Sequence, residues 1–173
     1  MSQSDLKKIH LVGTDHEAQW DIRDIKATKL YARLAIKIKE SKIDLIGEEF
    51  FEGLLLKQPI KVEETTAQRI SNKYNVKHAF CEPDENTRKE LGVLTQKQLR
   101  KKFGTRSAIE GTNEHAIRKE FEKSFWPIKE GYWLNQINKT NCKNIIFICG
   151  ASHLKSFGDL LTGNGYAVTV DEL

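Results

Sequence analysis

Two histidines stand in matching turns at opposite ends of this 173-residue chain. Ile9-His10-Leu11-Val12 runs into Gly13-Thr14-Asp15-His16, and Ile145-Ile146-Phe147-Ile148-Cys149 runs into Gly150-Ala151-Ser152-His153. Carboxylates follow two further apolar runs. Ile43-Asp44-Leu45-Ile46-Gly47 ends in Glu48-Glu49, and the run over residues 76–81 ends in Glu82-Pro83-Asp84. Two imidazoles among several carboxylates allow two chemistries. In the first, His16, Glu49 and His153 hold one divalent metal (zinc, manganese or iron), which acidifies a bound water into a nucleophile. In the second, no metal is needed: a histidine takes a proton from water while a carboxylate orients the ring. Residue types alone leave both open.

A single histidine at a strand end is more often a structural hydrogen-bonding group. Two of them in matching turns, facing Glu49, favour a shared site. Gly-x-x-His also reads as a phosphate-binding turn at a helix N-terminus, but the chain has neither G-x-G-x-x-G nor a Walker lysine motif, and acidic neighbours would repel phosphate. Asp84 with Arg88 also reads as a local ion pair. Ser152 lies in no Gly-x-Ser-x-Gly elbow, which makes a serine nucleophile a minor option. His10 and His78 read as structural and His115 as a surface residue. Trp126, Tyr132 and Trp133 read as core anchors.

The elements that must position these groups follow from hydrophobic period. Strands are expected at 9–12, 43–47, 76–81, 145–149 and 166–170. Helical spacing of Trp20, Ile25, Leu30, Leu34 and Ile38 predicts a helix from Asp15 or Asp21 to about Glu40, with Thr14 or Asp15 as cap. Further helices are expected at about 63–73, 95–102, 107–125, 128–139 and 152–161, with Thr95 and Ser107 as caps. A loop carries Gly53 and Pro59. Alternating strands and helices predict one α/β domain over 1–173. Its sheet is five-stranded and mainly parallel, with helices on both faces and a helical insertion at about 86–141, packed over one end of the sheet. Ligands of such sheets bind beyond the carboxyl ends of the strands. His16, Glu48, Glu49, Glu82, Asp84 and His153 are all expected in that crevice.

Composition narrows the function classes. The net charge of +4 is mildly basic, not the footprint of a dedicated nucleic-acid binder. The densest basic cluster, Lys97, Arg100, Lys101, Lys102 and Arg106, reads as a solvated face, with an acidic ligand as the alternative. No run approaches the roughly 20 apolar residues that cross a bilayer. Three unpaired cysteines and an N-terminus without an apolar stretch predict a cytoplasmic protein. Its partner is expected to be a small-molecule or peptide substrate, with oligomeric state open.

The same motifs resemble those of the TraB/GumN/TIKI-like group, more distantly related to ChaN and the erythromycin esterases. His10-Leu11-Val12-Gly13-Thr14-Asp15-His16 is similar to that group's first Gly-x-x-His motif. Residues 43–49 resemble its strand ending in an acid, with Glu49 at the matching position. Cys149-Gly150-Ala151-Ser152-His153-Leu154, followed by Gly158, Leu160, Leu161, Gly165-Tyr166 and Val168, resembles its second signature. The resemblance implies a single α/β domain with a site built from His16, Glu49 and His153. It further implies a hydrolase, in some relatives a metal-dependent protease and in others an esterase whose histidine activates water. The alternative is a non-catalytic protein binding a metal or small ligand on the same scaffold. Two departures stand out. Lys129-Glu130 precede Trp133 where relatives often have Arg-Glu near a Trp, and Lys155-Ser156 stand where relatives often have a Gly.

Overall fold

A computed structural model describes residues 6–21, 23–55 and 62–173. It contains five parallel strands: β1 (Lys7–Thr14), β2 (Leu45–Glu48), β3 (Lys77–Phe80), β4 (Asn144–Gly150) and β5 (Tyr166–Glu172). They lie in the order β3-β2-β4-β1-β5, every pair parallel. The expectation of a mainly parallel sheet is met by a fully parallel one. β4 lies at the centre and is the most apolar strand, because helices cover both its faces.

Alternation along the strands divides the core into two layers. Ile9, Leu11, Ile145, Phe147 and Cys149 point to one face, where they meet Trp133, Leu134 and Ile137 of α8 (Trp126–Lys139) and Phe157 and Leu161 of α9 (Leu154–Gly163). Val12, Ile46, Ile146 and Ile148 point to the other face. They meet Leu30 and Leu34 of α2 (Ile25–Glu40), Ala67 and Ile70 of α4 (Thr66–Tyr74), and Ala18 of the short α1 (His16–Trp20). Phe147, Phe157 and Trp133 form a ring cluster with centroids 5.0–5.5 Å apart. Such aromatic geometry adds to simple burial and makes a rigid platform beneath the end of β4.

Several expected helices shift for local reasons. The helix expected from Asp15 or Asp21 to about Glu40 is α2, which follows the later start and is capped by Asp24, accepting from the Lys26 N–H at 2.7 Å, while α1, starting at His16, is a separate short helix. The capping box of α4 is Thr65 with Gln68, which moves its start three residues beyond the expected Glu63. The helix expected over 107–125 does not form as one piece. Residues Thr105–Ala108 make a 3-10 turn, Gly111 takes φ +84°, and Thr112 rather than Ser107 caps α7 (Asn113–Lys123). A positive φ ends any helix there. Thr95 caps α6 (Gln96–Phe103) as expected, and a further short helix, α5 (Glu85–Glu90), follows β3. One more turn, α3 (Glu52–Leu55), follows β2, and Pro59 lies outside the described residues. Within the segment expected as an insertion over the sheet end, α8 is a full member of one helical layer, and α5, α6 and α7 overhang the strand ends. No helix among the described residues is long and apolar enough to cross a membrane.

Candidate active site

The strand order explains why distant turns meet. β2, β4 and β1 are neighbours; β1 ends level with β4, Thr14 opposite Gly150, and β2 ends two residues earlier, Glu48 opposite Ile148. The residues just beyond those ends are Glu49, the Gly150–His153 turn and His16. His16 is the first residue of α1, and His153 closes a 3-10 turn over Ala151–His153. A Cβ placed on Gly150 would lie 3.5 Å from Glu49 Oε2, 3.6 Å from His16 Nε2 and 3.8 Å from His153 Cδ2. All three side chains therefore surround one point. Gly13 serves the same convergence. A Cβ there would come within 2.5 Å of Leu154 Cδ1 and 3.1 Å of the Ala151 backbone, so the two Gly-x-x-His turns pack directly against each other.

Glu49 is the hub. It is 4% exposed. Its Oε2 accepts from the Gly150 N–H at 2.9 Å, and its Oε1 accepts from Lys129 Nζ at 2.8 Å. His153 Nε2 stands 3.8 Å from the same Oε1. Burial opposes ionisation of this carboxyl. The Lys129 ammonium, then His16, His153 and the Gly150 N–H, outweigh it and hold the carboxyl at about 2. Burial likewise pushes Lys129 down, but Glu49 and Glu82 together raise its pKa above the ordinary lysine value. The result is a buried, charged Lys129–Glu49 pair.

His153 is held from behind. Its Nδ1 lies 2.7 Å from Glu130 Oε1, and the Ser156 hydroxyl donates to the same oxygen at 2.6 Å. A carboxylate only accepts, so the proton between them sits on Nδ1, which leaves Nε2 as the ring nitrogen that faces Glu49. Trp126 and Trp133 pack against the imidazole at centroid distances of 4.5 and 4.9 Å. His16 is exposed by comparison, with the Gln19 amide nitrogen 3.4 Å from its Nδ1.

The remaining expected site residues separate. Glu82 closes the network from outside the cleft wall, accepting from Trp133 Nε1 at 2.9 Å, pairing with Arg88, and lying 3.3 Å from Lys129 Nζ. Glu48 is a correction. It precedes Glu49, and alternation along β2 turns it to the opposite face of the sheet. There it is fully buried, accepting from Thr65 Oγ1 at 2.6 Å and His78 Nε2 at 2.7 Å. Asp84 is a second correction: it caps α5 through the Thr87 N–H at 2.8 Å, and Arg88 pairs with Glu82 instead. His115 is half-buried rather than on the surface. The thiols supply no nucleophile: burial pushes Cys81 up to about 12 and Cys149 well above the ordinary value.

Sequence reasoning met Lys129, Glu130 and Ser156 only as departures from a family pattern, yet all three belong to the site. The signal was present in spacing. Trp126, Lys129, Glu130 and Trp133 recur at three- and four-residue intervals and share one face of α8.

A divalent metal on His16, Glu49 and His153 fits this donor set poorly. Both Glu49 oxygens are engaged, one by the Gly150 N–H and the other by an ammonium that would repel a dication at contact distance. Among the described residues, no three His, Cys, Asp or Glu side chains are grouped as metal ligands.

The cleft above these groups has a volume of about 360 Å³. Its floor is His16, Glu49, Lys129 and His153. Val93, Leu94 and Leu99 form an apolar side, and Arg88, Lys119 and Lys123 stand on the overhanging helices. Fold and site thus define a doubly wound, all-parallel α/β protein with a two-histidine, lysine–glutamate cleft at the strand ends. No family model, curated protein or solved structure matches the chain.

Proposed function

We propose that the cleft is the active site of a metal-free hydrolase acting on a small-molecule carbonyl substrate. The observation that carries this reading is the 2.7 Å contact between Glu130 Oε1 and His153 Nδ1, which leaves Nε2 as the basic nitrogen facing Glu49. Glu49 itself is a poor base, because its carboxyl is held at about 2. It serves instead as a fixed negative charge that orients Lys129 and faces the two imidazoles.

In the reaction, His153 Nε2 takes one proton from water as the oxygen bonds to the carbonyl carbon. Glu130 stabilises the imidazolium that forms. The developing oxyanion is met by His16, the exposed imidazole on the other side of Gly150, in the field of the Lys129 ammonium. Collapse breaks the bond to the leaving group, which recovers the proton from His153. The shared placement of His16, Glu49 and His153 supports kinship with the TraB/GumN/TIKI-like group. Three free, buried cysteines support a reducing, cytoplasmic setting.

The test is hydrolysis of 4-nitrophenyl esters of graded acyl length by purified protein, with His153→Ala and Glu130→Gln as controls. Turnover that both variants lose supports the reading. No turnover over the panel, or turnover indifferent to His153→Ala, overturns it in favour of a non-catalytic binding protein.

A further inference from the structure

Between residues 96 and 123 the chain carries eight Lys and Arg against four Glu, so this segment alone accounts for the net charge of +4 of the whole protein. The segment is α6, the 3-10 turn and α7, the part of the fold that overhangs the cleft. Leu99 of α6 and Lys119 and Lys123 of α7 line the opening. Lys119 and Lys123 are four residues apart and therefore share a helix face. Both side chains are about half exposed, at 55% and 51%. Two acids line the cleft among the described residues, and each is bound to a cation: Glu49 to Lys129 at 2.8 Å, and Glu122 to Arg118 at 2.8 Å. The partner of Lys123, Glu120, is 74% exposed, and such a pair is weak and easily exchanged for another anion. Lys119 lies 3.5 Å from Glu122.

We infer that the natural substrate of the cleft is a small anion, bearing a carboxylate or phosphate group that Lys119 and Lys123 hold at the rim, with its apolar body against Val93, Leu94 and Leu99. The cleft volume of about 360 Å³ suits a small molecule rather than a polymer. The basic overhang raises the local concentration of anions at the mouth, an effect that salt weakens. This rests on the hydrolase reading for what happens at the floor of the cleft, but not for what enters it.

Two measurements separate the inference from that reading. The first compares kcat/KM for mono-4-nitrophenyl glutarate with that for neutral 4-nitrophenyl pentanoate, in wild type and in Lys119→Gln/Lys123→Gln. Wild type is expected to favour the anionic ester by about tenfold at low salt, and the preference to fall toward unity in the double variant and in high salt. The second titrates wild type and the double variant calorimetrically with phthalate, phenyl phosphate and benzamide. Binding of phthalate or phenyl phosphate, absent for benzamide and lost in the double variant, supports the inference even if no ester turns over, and the stronger ligand identifies which anion is preferred. Equal turnover of both esters, or equal binding of anions and benzamide, overturns the inference while leaving the hydrolase reading intact. No turnover and no anion binding overturns both. A short oligonucleotide that binds the overhang more tightly than either small anion also overturns it.

Discussion

Glu130 Oε1 lies 2.7 Å from His153 Nδ1, and the residue before it in the chain, Lys129, reaches Glu49 at 2.8 Å. One turn of α8 thus supplies both the group that orients the imidazole and the group that neutralises the acid beside it.

Glu130→Gln keeps the shape of that contact but removes the charge that stabilises an imidazolium. Hydrolysis is expected to fall by about 10²–10⁴ in kcat, the range seen when a histidine loses its carboxylate partner. Circular dichroism should remain that of wild type. An unchanged kcat would show that His153 does not work through Glu130.

Lys129 also determines the response to metals. With its ammonium on Glu49 Oε1, the site has no free carboxylate for a dication among the described residues. Added EDTA, zinc or manganese is therefore expected to change hydrolysis by less than about twofold. Loss of activity on chelation, restored by one metal, would instead require Lys129 to leave Glu49.

Acid stability follows from Glu49. Its carboxyl is held at about 2 against an ordinary 4.5. A depressed carboxylate contributes stability that is fully present above its unfolded pKa and is lost as pH falls through its folded value. The stability difference between wild type and Glu49→Gln in urea melts should thus be greatest above pH 4.5 and should close toward pH 2. A difference that grows on acidification would place the proton elsewhere.

On the far face of the sheet, Glu48 ties Thr65 at the start of α4 to His78 of β3. Glu48→Ala leaves two polar groups facing an apolar layer and is expected to cost about 3 kcal/mol of stability. Because this pair faces away from the cleft, activity per folded molecule should be little changed. A large loss of kcat with normal stability would return Glu48 to the site.

Gly13→Ala tests the packing of the two turns. The new methyl meets Leu154 and the Ala151 backbone, at 2.5 and 3.1 Å before relaxation. Overpacking of this kind costs about 1–3 kcal/mol, and because Ala151 starts the turn that carries His153, kcat should fall with stability. Thermal melts and ester kinetics on the same sample measure both.

Much of this arrangement was legible in the chain itself. Apolar runs with turn residues behind them located all five strands, and their alternation with helical periods required a parallel sheet with covered faces. The placement of His16, Glu49 and His153 at strand ends was equally local, since each directly follows an apolar run. What sequence could not resolve was which face a strand-end residue takes. Glu48 and Glu49 are adjacent and chemically identical, yet one lies under α4 and the other in the cleft, because β2 alternates and only its register against β4 says which is which. Nor could it place Lys129 and Glu130, whose partners lie 80 residues before and 23 residues after them. Local spacing determined the strands and the histidine turns. The strand order β3-β2-β4-β1-β5, which sets β4 between β2 and β1 and lays α8 beside it, is a long-range choice. That choice alone turned two separate Gly-x-x-His turns into one site.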